Sequence, residues 1–280
     1  MARSIPYRVL AFVTTIIVGV FVGGCGALFF GQEKLVFFPH SDIAMTPEEA
    51  GLKYEDLYLE PAPRARINAW YVPADAGRGT VIFCHGNGEN IGDDVDYIEF
   101  YNGLGMNVLI VDYRGYGKSS GKPSEKATYE DAAVAWKYLT EVRGTRPDEI
   151  VLVGRSLGGG VVSHLAAQAK PAGMILESTF TSMPDMGAEI FPFFPIRLIA
   201  RIHYDTKSRL GKVHCPVLVL HSREDKLVPY RHGERLFELA NEPKRFVEIR
   251  GTHNEGPFER GDAYREAIDE FLTECMPKRP

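Results

Sequence analysis

The sequence predicts an α/β fold: a mostly parallel central sheet with helices on both faces, a short lid insertion and one N-terminal transmembrane helix. Apolar runs of strand length alternate with longer helix-like segments, which is the pattern of parallel strands joined by crossover helices. An uncharged run of 22 residues near the N-terminus is long enough to cross a bilayer. The chain has 280 residues, enough for one large core beside that helix.

The N-terminal segment is predicted to be a retained membrane anchor. Residues 9–30 carry no charge, and at about 1.5 Å per residue such a helix spans a bilayer core of about 30 Å. The small residues around Cys25 also match a cleaved signal peptide or a lipoprotein processing site, which would give a secreted or lipid-modified domain. The apolar run continues beyond Cys25 to Phe30, and this favours the anchor.

Basic residues lie mainly on one side of this segment. Arg3 and Arg8 precede it, whereas Lys34 follows it beside Glu33. Because positive residues stay in the cytoplasm, we expect the folded domain on the non-cytoplasmic side. The predicted parts of the chain are an anchor (1–31), a folded domain (32–280) and, at the start of that domain, a connector (33–39).

Beyond the anchor, strands and helices are predicted in alternation. Strands are expected near residues 54–59, 65–72, 80–84, 107–111, 150–153, 174–176, 217–220 and 246–249. Helices are expected near residues 93–102, 126–142, 157–169, 231–239 and 262–275. The short, apolar strands suit a sheet that is buried on both faces.

A lid is predicted near residues 180–210, between the sixth and seventh strands. Its centre, residues 190–196, reads Ile-Phe-Pro-Phe-Phe-Pro-Ile. The prolines discourage a regular helix, and the aromatic side chains suit either core packing or contact with an acyl chain. The sequence favours neither a lid over a site nor a piece of core.

Charge and cysteine content exclude several classes of protein. A net charge of −5 provides no basic surface for nucleic acid, so no nucleic-acid partner is expected. The four cysteines show neither the spacing of a zinc site nor that of a disulfide framework. The histidines also lack metal-ligand spacing, and we therefore expect no metal site.

The segment Gly154-Arg155-Ser156-Leu157-Gly158 is typical of a nucleophile elbow. It follows the apolar run 150–153 and leads directly into a helix-like segment. A serine on such a tight strand-to-helix turn needs small neighbours two residues away on either side, because a β-carbon there would collide with the flanking elements. The pattern makes Ser156 the candidate nucleophile.

An acid and a histidine follow Ser156 in the chain order typical of one class of hydrolase. Glu224 and Asp225 lie in a loop just after the strand at 217–220, and either could be the acid. His253 lies in a loop just after the strand at 246–249 and is the candidate base. A carboxylate would orient the imidazole, which would take the serine proton.

A glycine-rich loop upstream supplies candidate oxyanion donors. His85-Gly86-Asn87-Gly88 follows the strand predicted at 80–84. The backbone N–H groups of Asn87 and Leu157 are predicted to face a developing oxyanion.

Five ordered motifs together resemble those of serine hydrolases of the α/β-hydrolase superfamily. They are His85-Gly86-Asn87-Gly88, the turn from Asp112 to Gly121 with Pro123-Ser124-Glu125, Gly154 to Gly159, the Asp225 loop and His253, and they cover about residues 78–256. Within the superfamily the chain resembles the small membrane-anchored branch related to depalmitoylating hydrolases and to prolyl-aminopeptidase-like serine peptidases.

The resemblance implies a serine hydrolase that forms an acyl-enzyme on Ser156, with Asp225 as the acid and no cofactor. The expected partners are a small-molecule or acylated substrate and, through the N-terminal helix, a membrane. Ester or thioester cleavage is the expected reaction. Amide cleavage by an aminopeptidase-like enzyme and a non-catalytic binding protein with this fold are the alternatives, because the lid carries no family motif. The turn at 112–121 is predicted to brace neighbouring loops.

Overall fold

A long apolar helix opens the computed structural model, which describes residues 7–75 and 77–276. This helix, α1 (Tyr7–Val36), has a mean hydropathy of 2.3 and is the one helix in the described part of the chain that is long and apolar enough to cross a membrane. Arg3, one of the two basic residues of the predicted N-terminal flank, lies outside the described residues.

The first half of the predicted connector at residues 33–39 is helical, because α1 continues without a break to Val36. Only then does the chain leave the helix, and Phe37 is buried in the domain core. The helix continues because Glu33 and Lys34 are good helix formers and no glycine or proline follows until Pro39. The long apolar helix therefore continues without a break up to the first buried residue of the domain.

Eight strands and eight further helices follow in the described residues. The strands are β1 (Glu55–Ala62), β2 (Ala65–Val72), β3 (Gly79–Cys84), β4 (Met106–Val111), β5 (Ile150–Arg155), β6 (Gly173–Glu177), β7 (Val217–Ser222) and β8 (Lys244–Ile249). The helices are α2 (Val95–Gly103), α3 (Glu125–Lys137), α4 (Leu157–Ala166), α5 (Met183–Ile190), α6 (Ile196–Ile199), α7 (Thr206–Leu210), α8 (Arg231–Leu239) and α9 (Asp262–Cys275).

The strands form one sheet in the order β1-β2-β4-β3-β5-β6-β7-β8. The pairs β1/β2 and β2/β4 are antiparallel, and all the other pairs are parallel. This confirms the predicted mostly parallel sheet, and each of the eight predicted strands is present. The carboxyl ends of β3, β5, β7 and β8 consequently lie along the same edge, which is where the candidate site residues follow.

Two apolar layers bury the two faces of the sheet. Alternate residues of one strand belong to different layers, so Ile82 packs in one and Val81 with Phe83 in the other. The six residues of β5 are all buried. This burial explains the uninterrupted apolar run at residues 150–153 of β5, since a strand covered on both faces has no solvent-facing position for a polar residue.

Two predicted helices end earlier than the sequence suggested. Helix α3 ends at Lys137, and a π-helical turn covers Tyr138–Val142 within the predicted 126–142 segment. Helix α4 ends at Ala166 rather than at residue 169. The existence and position of all five predicted helices are confirmed.

Helices α5, α6 and α7 lie between β6 and β7 and form the predicted lid, called the cap below. Residues 191–195, which include both prolines, make the turn between α5 and α6. Phe193 is 88% exposed, and the Phe194 ring stacks on Phe21 of α1 at a centroid distance of 5.7 Å. The aromatic run is therefore surface cap rather than core.

Candidate active site

Ser156 lies on a tight turn between β5 and α4. Its backbone has φ 50° and ψ −115°, a strained conformation for a residue with a β-carbon. The neighbouring glycines make this turn possible: a β-carbon at Gly158 would overlap the Cys84 carbonyl, and one at Gly154 would overlap the backbone of Gly158. The turn holds the Ser156 side chain at the carboxyl edge of the sheet, as the elbow motif predicts.

His253 and Asp225 form a hydrogen-bonded chain with Ser156. The Nε2 atom of His253 lies 3.0 Å from Ser156 Oγ, and its Nδ1 atom lies 2.7 Å from Asp225 Oδ2. All three side chains are buried. An ionised Asp225 accepts a hydrogen bond from the Nδ1–H group, so the proton stays on Nδ1 and the Nε2 lone pair is left to accept the hydroxyl proton of Ser156.

Backbone donors hold the Asp225 carboxylate in place. Its Oδ1 atom accepts hydrogen bonds from the N–H groups of Leu227 at 2.9 Å and Val228 at 2.8 Å. Burial alone would raise the pKa of Asp225, but the hydrogen bond to His253, the positive charge that His253 can carry and the Val228 N–H together lower it below its ordinary value. The carboxylate therefore stays ionised beside the imidazole.

The structure distinguishes the two residues, Glu224 and Asp225, that the sequence offered as the acid. Glu224 is exposed, and its carboxylate accepts one long hydrogen bond, 3.4 Å from the N–H of Gly251. It makes no described contact with His253. Asp225 alone of the pair faces the imidazole.

Asn87 and Leu157 both border the cavity that contains Ser156. The Asn87 side chain is held in place by the rest of the domain: its Oδ1 accepts hydrogen bonds from Phe38 N at 3.1 Å and from Tyr116 Oη at 2.8 Å. Leu157 is the first residue of α4, where backbone N–H groups have no partner within the helix. Within the described residues neither of the two N–H groups donates a hydrogen bond to the protein.

The turn at 112–121 braces the glycine-rich loop, as predicted. The Tyr113 hydroxyl donates to the His85 carbonyl at 3.1 Å, and the Tyr116 hydroxyl donates to Asn87. His85 itself is fully buried, and burial lowers its pKa to about 4. A neutral imidazole packed against two tyrosine rings is a structural part of the loop.

Arg155 and Glu89 link three parts of the site, and sequence reasoning missed both. Arg155 Nη2 donates to the His253 carbonyl at 2.7 Å, and Arg155 Nη1 pairs with Glu89. Glu89 also accepts from the N–H of Gly86 at 3.1 Å. This pair therefore ties the glycine-rich loop and the elbow to the His253 loop. Arg155 occupies a variable position of the elbow motif, so no pattern points to it.

A cavity of about 440 Å³ contacts Ser156 and His253. Its walls are mostly apolar, and they come from α1, from the cap and from the loop after β7. The side chains include Leu28, Gln32, Leu35, Phe38, Met183, Met186, Ile190, Phe191, Ile196, Ile199 and Leu227. Glu89 supplies the one carboxylate among the described lining residues. In the described part of the chain no group of three His, Cys, Asp or Glu side chains could hold a metal ion.

The fold and the elbow define the class of protein to which the chain belongs, and comparisons with known proteins agree. The family model described as serine aminopeptidase, S33, matches residues 75–207. An α/β hydrolase domain-containing protein of Arabidopsis thaliana, WAV2, is 30% identical over 93% of this chain and 94% of its own. An uncharacterized protein of Mycobacterium tuberculosis is 35% identical over 87% and 88%.

Two further comparisons concern the membrane and the fold. An uncharacterized membrane protein of Saccharomyces cerevisiae is 32% identical over 82% of this chain and 83% of its own. An esterase of Pyrococcus furiosus superposes with a TM-score of 0.72 over 86% of this chain and 98% of its own, at 20% identity. The chain is an α/β hydrolase. More particularly, it belongs with the α/β hydrolase domain-containing proteins similar to WAV2, which it matches along nearly its whole length.

Proposed function

We propose that this protein is a serine hydrolase that cleaves a carboxylic ester or thioester through an acyl-enzyme on Ser156. The observation that carries the proposal is the hydrogen-bonded chain from Ser156 through His253 to Asp225 at the wall of an apolar cavity. A serine hydroxyl is a weak nucleophile until a neighbouring base removes its proton. The chain provides that base and the carboxylate that orients it.

The reaction proceeds in two half-reactions. His253 Nε2 takes the hydroxyl proton as Ser156 Oγ attacks the acyl carbon, and the carbonyl oxygen becomes an oxyanion that the N–H groups of Asn87 and Leu157 stabilise. The imidazolium then protonates the departing alcohol or thiol, leaving the acyl group on Ser156. In the second half-reaction His253 takes a proton from water as the water oxygen attacks the acyl carbon. The bond from that carbon to Ser156 Oγ then breaks, the acid leaves, and the imidazolium returns the proton to Oγ.

The cavity favours an apolar acyl group over a peptide N-terminus. A substrate with a free α-ammonium group needs a carboxylate to bind it, and the one carboxylate among the described lining residues belongs to Glu89. Glu89 is already paired with Arg155. The remaining walls are aliphatic and aromatic side chains that suit a hydrocarbon chain, so aminopeptidase-like activity is the second candidate.

Acyl-chain length is expected to control kcat/KM. Each methylene buried in an apolar pocket contributes about 0.8 kcal/mol, so two or three added carbons should raise kcat/KM about tenfold or more until the cavity is full. The measurement is kcat/KM for p-nitrophenyl esters and acyl thioesters of increasing length.

Aminoacyl and prolyl amides, assayed beside that series, are the matched comparison. Polar amides gain nothing from the aliphatic walls and should be cleaved slowly. A flat chain-length profile together with faster amide cleavage would contradict the ester assignment and favour the aminopeptidase.

We further propose that residues 1–31 are a retained anchor and that the catalytic domain, residues 32–280, lies on the non-cytoplasmic side. The uncharged run and the basic residue Arg8 ahead of it support this orientation. Cleavage at Cys25 would remove Phe21, on which the cap residue Phe194 stacks. The packing of the cap therefore favours an uncleaved helix.

Protease added to right-side-out membrane vesicles is expected to digest the domain, and mass spectrometry of the intact protein should recover the residues before Arg8. Inside-out vesicles are the control, and in them the domain should be protected. A mature chain that begins at Cys25 or Gly26, or a domain that is accessible only in inside-out vesicles, would contradict the assignment.

A further inference from the structure

The cap carries an unusual concentration of exposed apolar side chains. Ile190 is 60% exposed, Phe193 88% and Leu198 87%, all within nine residues. Residues 190–196 carry no charge, and the one charged residue among the nine, Arg197, is paired with Asp185 at 3.0 Å. A cluster of this kind marks a surface that contacts something other than water.

The position of the cap along α1 identifies that contact. The Phe194 ring stacks on Phe21 with an interplanar angle of 5°, and Gly24 provides room for it, since a β-carbon there would lie 2.6 Å from the ring. Phe21 precedes Phe30, the end of the uncharged run, by nine residues. At about 1.5 Å per residue this is about 13 Å of helix, so the cap meets α1 well inside the apolar segment.

Hydrogen bonds fix the cap on α1 near the end of that segment. Gln32 Nε2 donates to the Ile199 carbonyl at 3.0 Å, and Gln32 Oε1 accepts from the N–H of Arg201 at 2.6 Å. Arg201 also lies over the Phe29 ring, 5.3 Å from its centroid. An arginine at this level suits the phosphate groups at a bilayer surface.

The charges nearest to this apolar cluster are paired with one another or with the domain. Asp185 pairs with Arg197 at 3.0 Å. Glu189 pairs with His232 at 3.2 Å and with Arg231, both on α8. The exposed apolar side chains of the cap therefore extend the apolar surface of α1, with no unpaired acidic group between them.

We infer that residues 190–198 of the cap lie in the same bilayer leaflet as the second half of α1, and that the acyl chain of a membrane-resident substrate reaches Ser156 from that leaflet. Leu28 of α1 and Ile190 and Ile199 of the cap border the cavity that contacts Ser156. A hydrocarbon chain passing between α1 and the cap would meet mostly apolar side chains, with Gln32 of α1 as a polar exception. This inference rests on the proposed anchor and the proposed hydrolase activity.

Tryptophan quenching by brominated lipid tests the depth of the cap. The full chain carrying Phe193→Trp is reconstituted in phosphatidylcholine vesicles with and without bromine on the acyl chains. The control is Val142→Trp, whose parent side chain is 73% exposed on the domain surface. Bromine should quench the added fluorescence of Phe193→Trp, and it should quench Val142→Trp no more than the wild type, which contains Trp70 and Trp136.

Equal quenching of the two variants would overturn the inference. Fluorescence of Phe193→Trp that is shifted to the blue but is not quenched would also overturn it, because another protein surface, such as a second copy of this chain, would then cover the cap. The fluorescence measurement does not depend on hydrolysis of any substrate. Quenching without any hydrolysis would therefore contradict the proposed function and leave the position of the cap intact.

A second variant tests the route of the substrate. Phe193→Glu combined with Leu198→Glu places two charges in the leaflet, and neither residue lines the cavity. Turnover of a palmitoyl ester embedded in phosphatidylcholine vesicles should fall about tenfold or more. Turnover of a water-soluble butyrate ester should not change, and Val142→Glu should change neither. Unchanged turnover of the embedded ester, or an equal loss with both esters, would overturn the route from the leaflet.

Discussion

Ser156→Ala is expected to abolish covalent labelling by a fluorophosphonate and to lower kcat by about 10⁴- to 10⁶-fold. Ser156 Oγ lies 3.0 Å from His253 Nε2. Removing this hydroxyl leaves the base with no nucleophile to activate. The residual rate would come from water in a site that still binds substrate and holds the oxyanion donors. Labelling is read by intact mass and turnover by ester hydrolysis.

Ser163→Ala is the matched control for that variant. Ser163 is buried on α4, seven residues beyond the nucleophile, and its hydroxyl donates to the Gly160 carbonyl at 3.0 Å. It should keep both labelling and turnover. If Ser156→Ala kept wild-type turnover, the nucleophile would be misassigned. If the wild type itself were neither labelled nor active, the protein would be the non-catalytic binding protein.

The sheet could be predicted from the sequence because burial of a strand on both faces requires a run of apolar residues, and such runs are visible in the sequence. Residues 150–153 of β5, for example, form an uninterrupted apolar run, and the turn at Ser156 follows soon after it. The candidate site residues follow the ends of such strands in chain order. Since the carboxyl ends of parallel strands share one edge, the order of strands and loops along the chain is enough to predict that Ser156, Asp225 and His253 meet.

The sequence alone could not decide between Glu224 and Asp225 as the acid, because the answer depends on the three-dimensional structure of the loop. The two residues are adjacent, and the direction of each side chain depends on the local turn, in which Asp225 accepts from two N–H groups further along the loop. The pairing of Arg155 with Glu89 lies beyond sequence reasoning for a similar reason. The two are 66 residues apart, and neither belongs to a periodic pattern.

The packing of the cap against α1 could not be predicted from the sequence either. An anchor ending at residue 31 is a natural interpretation of the uncharged run, because charge first appears at Glu33. The contacts of Phe21 with Phe194 and of Gln32 with the cap join segments more than 160 residues apart. Such contacts depend on how a helix leaves the sheet, which composition and periodicity do not encode.

Asp225→Asn is expected to lower kcat by about 10⁴-fold while leaving the fold intact. The two N–H groups of Leu227 and Val228 that now bind Oδ1 will hold the amide oxygen of the asparagine, because they can only donate. The NH₂ group must then face His253 Nδ1 and donate to it. The imidazole is thereby fixed with its proton on Nε2, facing Ser156, and it cannot accept the serine proton.

Glu224→Gln provides the control in the same loop, since it removes the same charge one residue away. The Glu224 side chain is exposed and reaches only the Gly251 N–H at 3.4 Å, so the imidazole keeps its tautomer and kcat should stay close to that of the wild type. Both variants are measured as kcat on one ester, with thermal unfolding to verify the fold. A severe loss in Glu224→Gln with little loss in Asp225→Asn would transfer the acid to Glu224, because only the residue that fixes the imidazole tautomer controls whether Ser156 can be deprotonated.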